Sequence, residues 1–349
     1  MVHITLIFST MLSFLKENTK KILLLPFAVL FIFAALRYDY GNDYMSYANI
    51  FKNLTRYDYN PLIGEELFVL LNKISPSYQV MLIVVSLFFL FMVYKLISEN
   101  VNIEYFGIAF LIFVINPYLF LVNLSAVRQS IAIALFIIAI EFAYKRKIIP
   151  YIIFIAIATL FHNSAIVLLP IYFIANGKEL KKWQIITVVG IFIFILLTPD
   201  VLFGFIEEVL SFLDNANYNY YFDNGTENSL RATFLSALYG VYVLMNINRL
   251  SGKKLMFAKL YLLSIAFAVL AIRLSMLTRI QMYFDIFSVV AIPAIIEENY
   301  KNNDNYESRI INIYGFPLLL LAIYLLRYYS FFTNDLWESF VTYKTIFEA

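Results

Sequence analysis

Apolar runs separated by short polar breaks fill most of the chain. Residues 80–92, 131–140 and 318–326 are apolar on every face rather than along one stripe, and none keeps the alternation of a strand. These segments read as helices immersed in lipid. A crossing helix needs about 20 residues, fewer where it is short or re-entrant. On that basis the pattern predicts spans near 2–15, 21–36, 78–97, 104–123, 126–144, 148–161, 164–176, 183–199, 230–248, 255–272, 279–296 and 310–326. The first segment is short enough to compete with a signal peptide, although it lacks a basic leader and an Ala-x-Ala-like site after it. The expected architecture is an all-α polytopic membrane protein with about 11–12 transmembrane helices, forming a single integral membrane domain over residues 1–349.

Basic residues in the breaks orient the spans. Strict alternation gathers Lys16, Lys20, Lys21, Lys95, the 145–147 and 178–182 clusters, Arg249, Lys253, Lys254, Lys259, Lys301 and Arg309 on one face. That face holds 16 of the 26 Lys and Arg residues and is expected to be cytoplasmic. Since clusters 145–147 and 178–182 share it, residues 148–177 must enter and return as a hairpin of two short helices. Pro150 and Pro170 stand near its feet, and Phe161-His162-Asn163-Ser164 forms its tip. Two long aromatic-rich segments, 37–77 and 199–229, lie on the opposite, outer face. Within the second, residues 201–213 read as an interfacial amphipathic helix with Glu207, Glu208 and Asp214 on its polar side. No internal repeat or soluble appendage is visible. Long outer loops over minimal inner ones put the working surface outside.

Composition narrows the function. The chain is 62% hydrophobic and 14% charged, against about 45–50% and ~25% in an ordinary soluble domain. A net charge of +2 provides no polybasic footprint for nucleic acid. With no cysteine and only His3 and His162, thiolate and multi-histidine metal sites are excluded, and no cofactor is implied.

The outer face carries arginines where the inner face carries lysines: Arg37, Arg56, Arg128, Arg231, Arg273, Arg279 and Arg327. Guanidinium is a rigid fork that binds phosphate oxygens in pairs, so several at different helix ends suit a pyrophosphate at the membrane surface. The plainer alternative is snorkelling to lipid headgroups, which is the reading for Arg56 and Arg327 taken singly. Arg128 stands apart because apolar sequence flanks it on both sides, and a charge at membrane depth is a functional hypothesis by default. Ala126, Ser130 and Ala134 give its helix a small-residue face for close packing. Arg279 and Tyr283 share one helix face, while Asp285 is wrongly spaced to pair with Arg279. His162 is either a hydrogen-bonded structural residue or a proton acceptor with a reference pKa near 6.5. In Arg37-Tyr38-Asp39-Tyr40-Gly41-Asn42-Asp43, Gly41 permits a tight turn that sets two carboxylates beside one arginine. Those carboxylates are either solvated loop charges or groups that orient Arg37, accept a hydroxyl proton or bind a divalent ion.

Four motifs in order, Arg37-x₃-Gly41-x-Asp43-x₃-Tyr47, Arg128-Gln129-x-Ile131-Ala132, Ala158-x₂-Phe161-His162-x-Ser164-Ala165 and Arg279-x₃-Tyr283-Phe284, resemble the EpsG/Wzy-type family of bacterial polysaccharide polymerases. Glu65-Glu66 stands where that resemblance leads one to expect a Glu-Pro pair. The resemblance implies a metal-independent, GT-C-like glycosyltransferase of the bacterial cytoplasmic (inner) membrane, with its active site facing outward. It would join oligosaccharide repeat units carried on undecaprenyl diphosphate, both donor and acceptor being lipid-linked, with a chain-length regulator as a further partner. His162 and Asp43 are then the candidates for proton transfer. Arg37, Arg128, Gln129, Arg273, Arg279 and Tyr283 are expected at the diphosphate, and Asp39, Gly41 and Tyr47 would position the acceptor or the loop. A ligase passing finished polymer to another acceptor, or a flippase for the lipid-linked unit, are the competing readings. Charges gathered at one face, without paired halves, weigh against a transporter.

Overall fold

The computed structural model describes residues 1–15, 23–57, 60, 62, 64–175, 178, 230–271, 277–302 and 314–348. Helices α1 (Val2–Ser13) and α2 (Leu24–Leu36) lead into a two-residue strand, β1 (Arg37–Tyr38). Next come α3 (Tyr44–Arg56), α4 (Glu66–Ile74), α5 (Tyr78–Asn100), α6 (Phe106–Ile115), α7 (Leu121–Ser125), α8 (Val127–Tyr144), α9 (Ile148–Phe161) and α10 (Ile171–Ile174). From residue 230 the chain forms α11 (Leu230–Asn246), α12 (Gly252–Leu270), α13 (Leu277–Asp285), α14 (Ser288–Asn302) and α15 (Phe316–Phe332). A last strand, β2 (Lys344–Thr345), returns to pair antiparallel with β1, setting Arg37 opposite Thr345. The expected span 183–199, the segment 199–229 with its amphipathic helix, and Arg273 lie outside the described residues.

The protein is an all-α membrane protein by the character of its helices. Among the described residues α5 and α8 are each long and apolar enough to cross a bilayer, and α13 with α14, bent by 46°, make a third crossing if taken together. Other apolar helices, at 10–17 residues, are shorter, so of the 11–12 expected spans only two or three are full-length helices among the described residues. Local chemistry explains the breaks. Over 104–123, Pro117 disfavours helical geometry at Asn116, which turns extended (ψ 102°) and ends α6 at Ile115. A second break at Ala126 separates α7 from α8, which begins one residue later than expected. The outer segment 37–77 is likewise no loop, since α3 and α4 occupy most of it.

Helix α8 is the central post, packed against α5 on one side and α9 on another, with buried Ser130, Ala132 and Ala134 allowing close approach. Its end is reversed by a Schellman turn: the Lys147 N–H donates to Phe142 O (2.9 Å) and the Arg146 N–H to Ala143 O (3.0 Å), with Arg146 at φ +59°. That turn launches the expected hairpin, which the structure describes over residues 148–175. Its outgoing limb is α9, but its return limb is a 3-10 segment (Asn163–Leu168) followed by the single turn of α10, not a second regular helix. The limbs are tied where Tyr151 Oη donates to Leu168 O at 2.5 Å and the Tyr151 and Tyr172 rings meet at 5.4 Å.

Charge separates along the bundle. Lys253 pairs with Glu141 at 2.5 Å, and Lys254 with both Glu297 and Glu298 at 2.8 Å, gathering lysines from the expected inner clusters at one end. Arg128 lies thirteen residues before Glu141 on α8, about 20 Å away along the helix.

Candidate functional site

At the arginine-bearing end, five chain segments converge, and each is positioned by an identifiable local device. Gly41 adopts φ +100°, and a Cβ there would stand 3.0 Å from Ser125 Cβ, so no other residue fits the turn without displacing α7. The C-terminal strap holds this turn: Asn42 Nδ2 donates to Leu336 O at 3.0 Å and the Gly41 N–H to Ser339 O at 3.3 Å. Ser125 Oγ accepts the Asp43 N–H at 2.9 Å, and α3 starts there. Tyr47, one turn on, faces α8. Gly64 (φ +78°) brings the next segment against the Asn163 side chain, where a Cβ would lie 2.9 Å from Oδ1. Glu65 follows at the N-terminus of α4.

Glu65 is the centre of the site. Its buried carboxylate accepts from Arg128 Nη1 on one oxygen. The other oxygen stands 3.0 Å from His162 Nδ1 and accepts the Asn163 N–H at 3.2 Å. Arg128 Nε donates to Tyr47 Oη at 3.2 Å, and the guanidinium lies over the Tyr47 ring, 5.6 Å from its centroid. Nη2 of Arg128 meets no protein acceptor among the described residues, and the side chain is 25% exposed. Gln129 Nε2 donates to the Arg279 carbonyl at 2.5 Å, fixing α13 beside α8 and leaving the Arg279 side chain exposed. Tyr283 Oη and Ser164 Oγ meet at 3.0 Å, tying α13 to the hairpin. His162 Nε2 is buried and has no protein partner among the described residues.

Electrostatics at these positions follow from the packing. Burial raises the Glu65 carboxyl, but the His162 hydrogen bond and the Arg128 charge outweigh it and hold the group below the usual carboxylate range. Burial lowers the His162 imidazole, Glu65 opposes, and Arg128 and Arg279 add to the lowering. The Asp43 carboxyl is pushed above its ordinary value by the protein volume around it, with Arg279 and Arg128 pulling it partly back. One carboxylate, Glu65, and two arginines, Arg128 and Arg279, therefore act on the imidazole.

The structure brings together Asp43, Tyr47, Arg128, Gln129, His162, Arg279 and Tyr283, seven residues drawn from all four sequence motifs. It does not bring Arg37. That residue is buried, and donates through Nη1 to Ala34 O and Ser86 Oγ (2.9 Å) and through Nη2 to Leu124 O (3.2 Å), bracing α2 against α5 and α7. Arg37, expected at the diphosphate, thus stands apart from the cluster as a strut, and the arginines acting on Asp43 are Arg279 and Arg128. Asp39 is exposed in the turn at φ +46°. Arg327 is no simple headgroup anchor: it lies over the Tyr118 ring at 5.5 Å and acts electrostatically on buried Asp285. Asp285 does not bond to Arg279; it accepts from Asn116 Nδ2 (3.0 Å) and Ser264 Oγ (3.2 Å). Sequence reasoning passed over Glu65 as a site residue, although its position within the family-like pattern marked it.

No curated protein and no solved structure matches the chain. A family model does, from residue 2 to residue 345, and that range takes in every residue of the cluster around Glu65. Extending over nearly the whole chain, the match means that this protein belongs to the EpsG family.

Proposed function

We propose that this protein is a polysaccharide polymerase: a GT-C-like glycosyltransferase that joins oligosaccharide repeat units carried on undecaprenyl diphosphate. The reaction takes place at the outer face of the cytoplasmic membrane, the face opposite the lysine clusters. The observation that carries the reading is the Arg128–Glu65–His162 cluster beside exposed Arg279, which sets a proton acceptor next to solvent-facing guanidinium charge. Family membership supports the same class of reaction.

The chemistry requires a proton to leave an acceptor sugar hydroxyl as its oxygen bonds to the anomeric carbon of the donor. The bond from that carbon to the diphosphate breaks, and its electron pair departs with the phosphate oxygen. His162 Nε2 takes the proton. Arg279 and Arg128 Nη2 stabilise the charge that grows on the leaving group, as preorganised donors do wherever charge develops in a transition state. Arginine charge thus stands where other transferases use a cation, in keeping with a metal-independent mechanism. Asp43, next to both arginines, orients them and the incoming sugar.

The test uses purified, membrane-reconstituted protein with a labelled lipid-linked repeat unit. A ladder of products is the expected outcome. A single transfer to a different acceptor would assign a ligase, and movement across the bilayer without bond formation would assign a flippase.

A further inference from the structure

We propose that Glu65 is a positioning residue for proton transfer: it holds His162 in the tautomer protonated on Nδ1 and so presents the Nε2 lone pair to the acceptor hydroxyl. The inference deepens the polymerase reading and rests on it for the identity of the substrate, but its geometry can be tested without substrate.

The argument is one of donors and acceptors. Glu65 meets Arg128 Nη1, His162 Nδ1 and the Asn163 N–H, and the last two share one oxygen. Two of these groups, the Arg128 guanidinium and the Asn163 N–H, donate whatever the tautomer of His162; a buried carboxylate beside that cationic donor is favoured in its ionised form, and an ionised carboxylate can only accept. The hydrogen at the 3.0 Å contact must then belong to Nδ1. In a neutral imidazole the other nitrogen is bare, and that nitrogen is the buried, unpartnered Nε2. The main chain that carries the ring is held as well: the His162 backbone N–H donates to Ala158 O at 2.8 Å and His162 O accepts from the Ala165 N–H at 2.9 Å. Glu65 also faces the proton after transfer, since an ionised carboxylate on Nδ1 stabilises the imidazolium formed when Nε2 takes the hydroxyl proton. The same carboxylate joins Arg128 to the base, so the group that meets the phosphate and the group that takes the proton share one anchor.

The chain contains two histidines, so nitrogen-15 histidine labelling reads the tautomer directly. In the reconstituted protein carrying His3→Gln, the one remaining imidazole at neutral pH should show a protonated Nδ1 and a bare Nε2. Glu65→Gln should mix or reverse the tautomer, cut kcat by up to about 10⁴ with KM little changed, and displace the acid limb of the rate–pH profile to lower pH. Glu65→Asp should recover part of the rate together with the native tautomer. Protonated Nε2 in the otherwise native protein would overturn the proposal without any variant at Glu65. So would a Glu65→Gln protein whose tautomer is unchanged. If the tautomer is as expected but His162→Gln remains fully active, the base assignment falls while the Glu65 geometry stands.

Discussion

The Glu65–Arg128 pair yields a prediction that distinguishes a coupled site from a collection of surface charges. Glu65 has 4% of its side chain exposed and Arg128 25%, so removing one partner has unequal consequences. In Arg128→Gln, a carboxylate is left buried with only His162 and the Asn163 N–H as donors. Breaking a fully buried pair costs about 3–5 kcal/mol, and the partial exposure of Arg128 brings the expectation to about 2–3 kcal/mol. In Glu65→Gln, Arg128 can swing its guanidinium toward water and keep its Tyr47 contact, so roughly 1–2 kcal/mol is expected, near the cost of one charged hydrogen bond. The double variant leaves no uncompensated charge, and its loss should fall short of the sum of the singles by about 1–3 kcal/mol, within the roughly 0.5–3 kcal/mol seen for contacting residues. The assay is denaturant unfolding of the purified protein in one detergent at fixed protein and detergent concentrations. Additivity within about 0.5 kcal/mol, or a Glu65→Gln loss larger than that of Arg128→Gln, would refute the coupling.

Arg279→Lys should lose most polymerisation while folding normally, because a point charge does not replace a bidentate fork at an exposed position; Arg327→Lys, losing its planar contact over Tyr118, should lower thermal stability but leave turnover per folded molecule near normal. The acid limb of the rate–pH profile should lie below the reference histidine value of about 6.5, since burial holds His162 neutral to lower pH, and it should disappear in His162→Gln. Glu65 carries the matching stability signature: its pairing is fully present above the unfolded carboxylate pKa and is lost as pH falls through the depressed folded value, so wild type should lose more stability in acid than Glu65→Gln. In this cysteine-free chain, cysteine at exposed Tyr57 should react with an impermeant thiol reagent from outside and cysteine at Lys145 should not; reaction at both from one side would reverse the orientation.

Which features could be read from sequence follows from their range. The hairpin over 148–177 was legible because two lysine clusters demanded the same side, a constraint local to some forty residues. The turn at Gly41 was legible because a positive φ has few occupants. The break in 104–123 was not, since hydropathy averages over Asn116 and Pro117, and one proline among apolar residues barely lowers the mean. The helices α3 and α4 were hidden for the opposite reason: their amphipathic faces are covered by neighbours that a hydropathy scan does not see, such as Phe68 packed against Tyr47 at 5.8 Å.

Charges show the same division. Arg128 stood out because apolar sequence flanks it, and depth in a membrane makes a charge costly wherever it points. Arg37 looked equivalent from sequence, yet Ser86 and the Leu124 carbonyl, from 49 and 87 residues away, absorb its donors. Glu65 lay in a stretch rich in polar residues, where a carboxylate is ordinarily solvated, and its partners are 63 and 97 residues distant. What separates a strut, a surface charge and a proton-positioning group is the set of acceptors and donors brought to it by other helices. A buried carboxylate that retains its charge must be surrounded by donors. At Glu65 those donors include the one imidazole at the hairpin tip, and the same requirement that keeps the carboxylate ionised therefore decides which nitrogen of His162 is left to receive a proton.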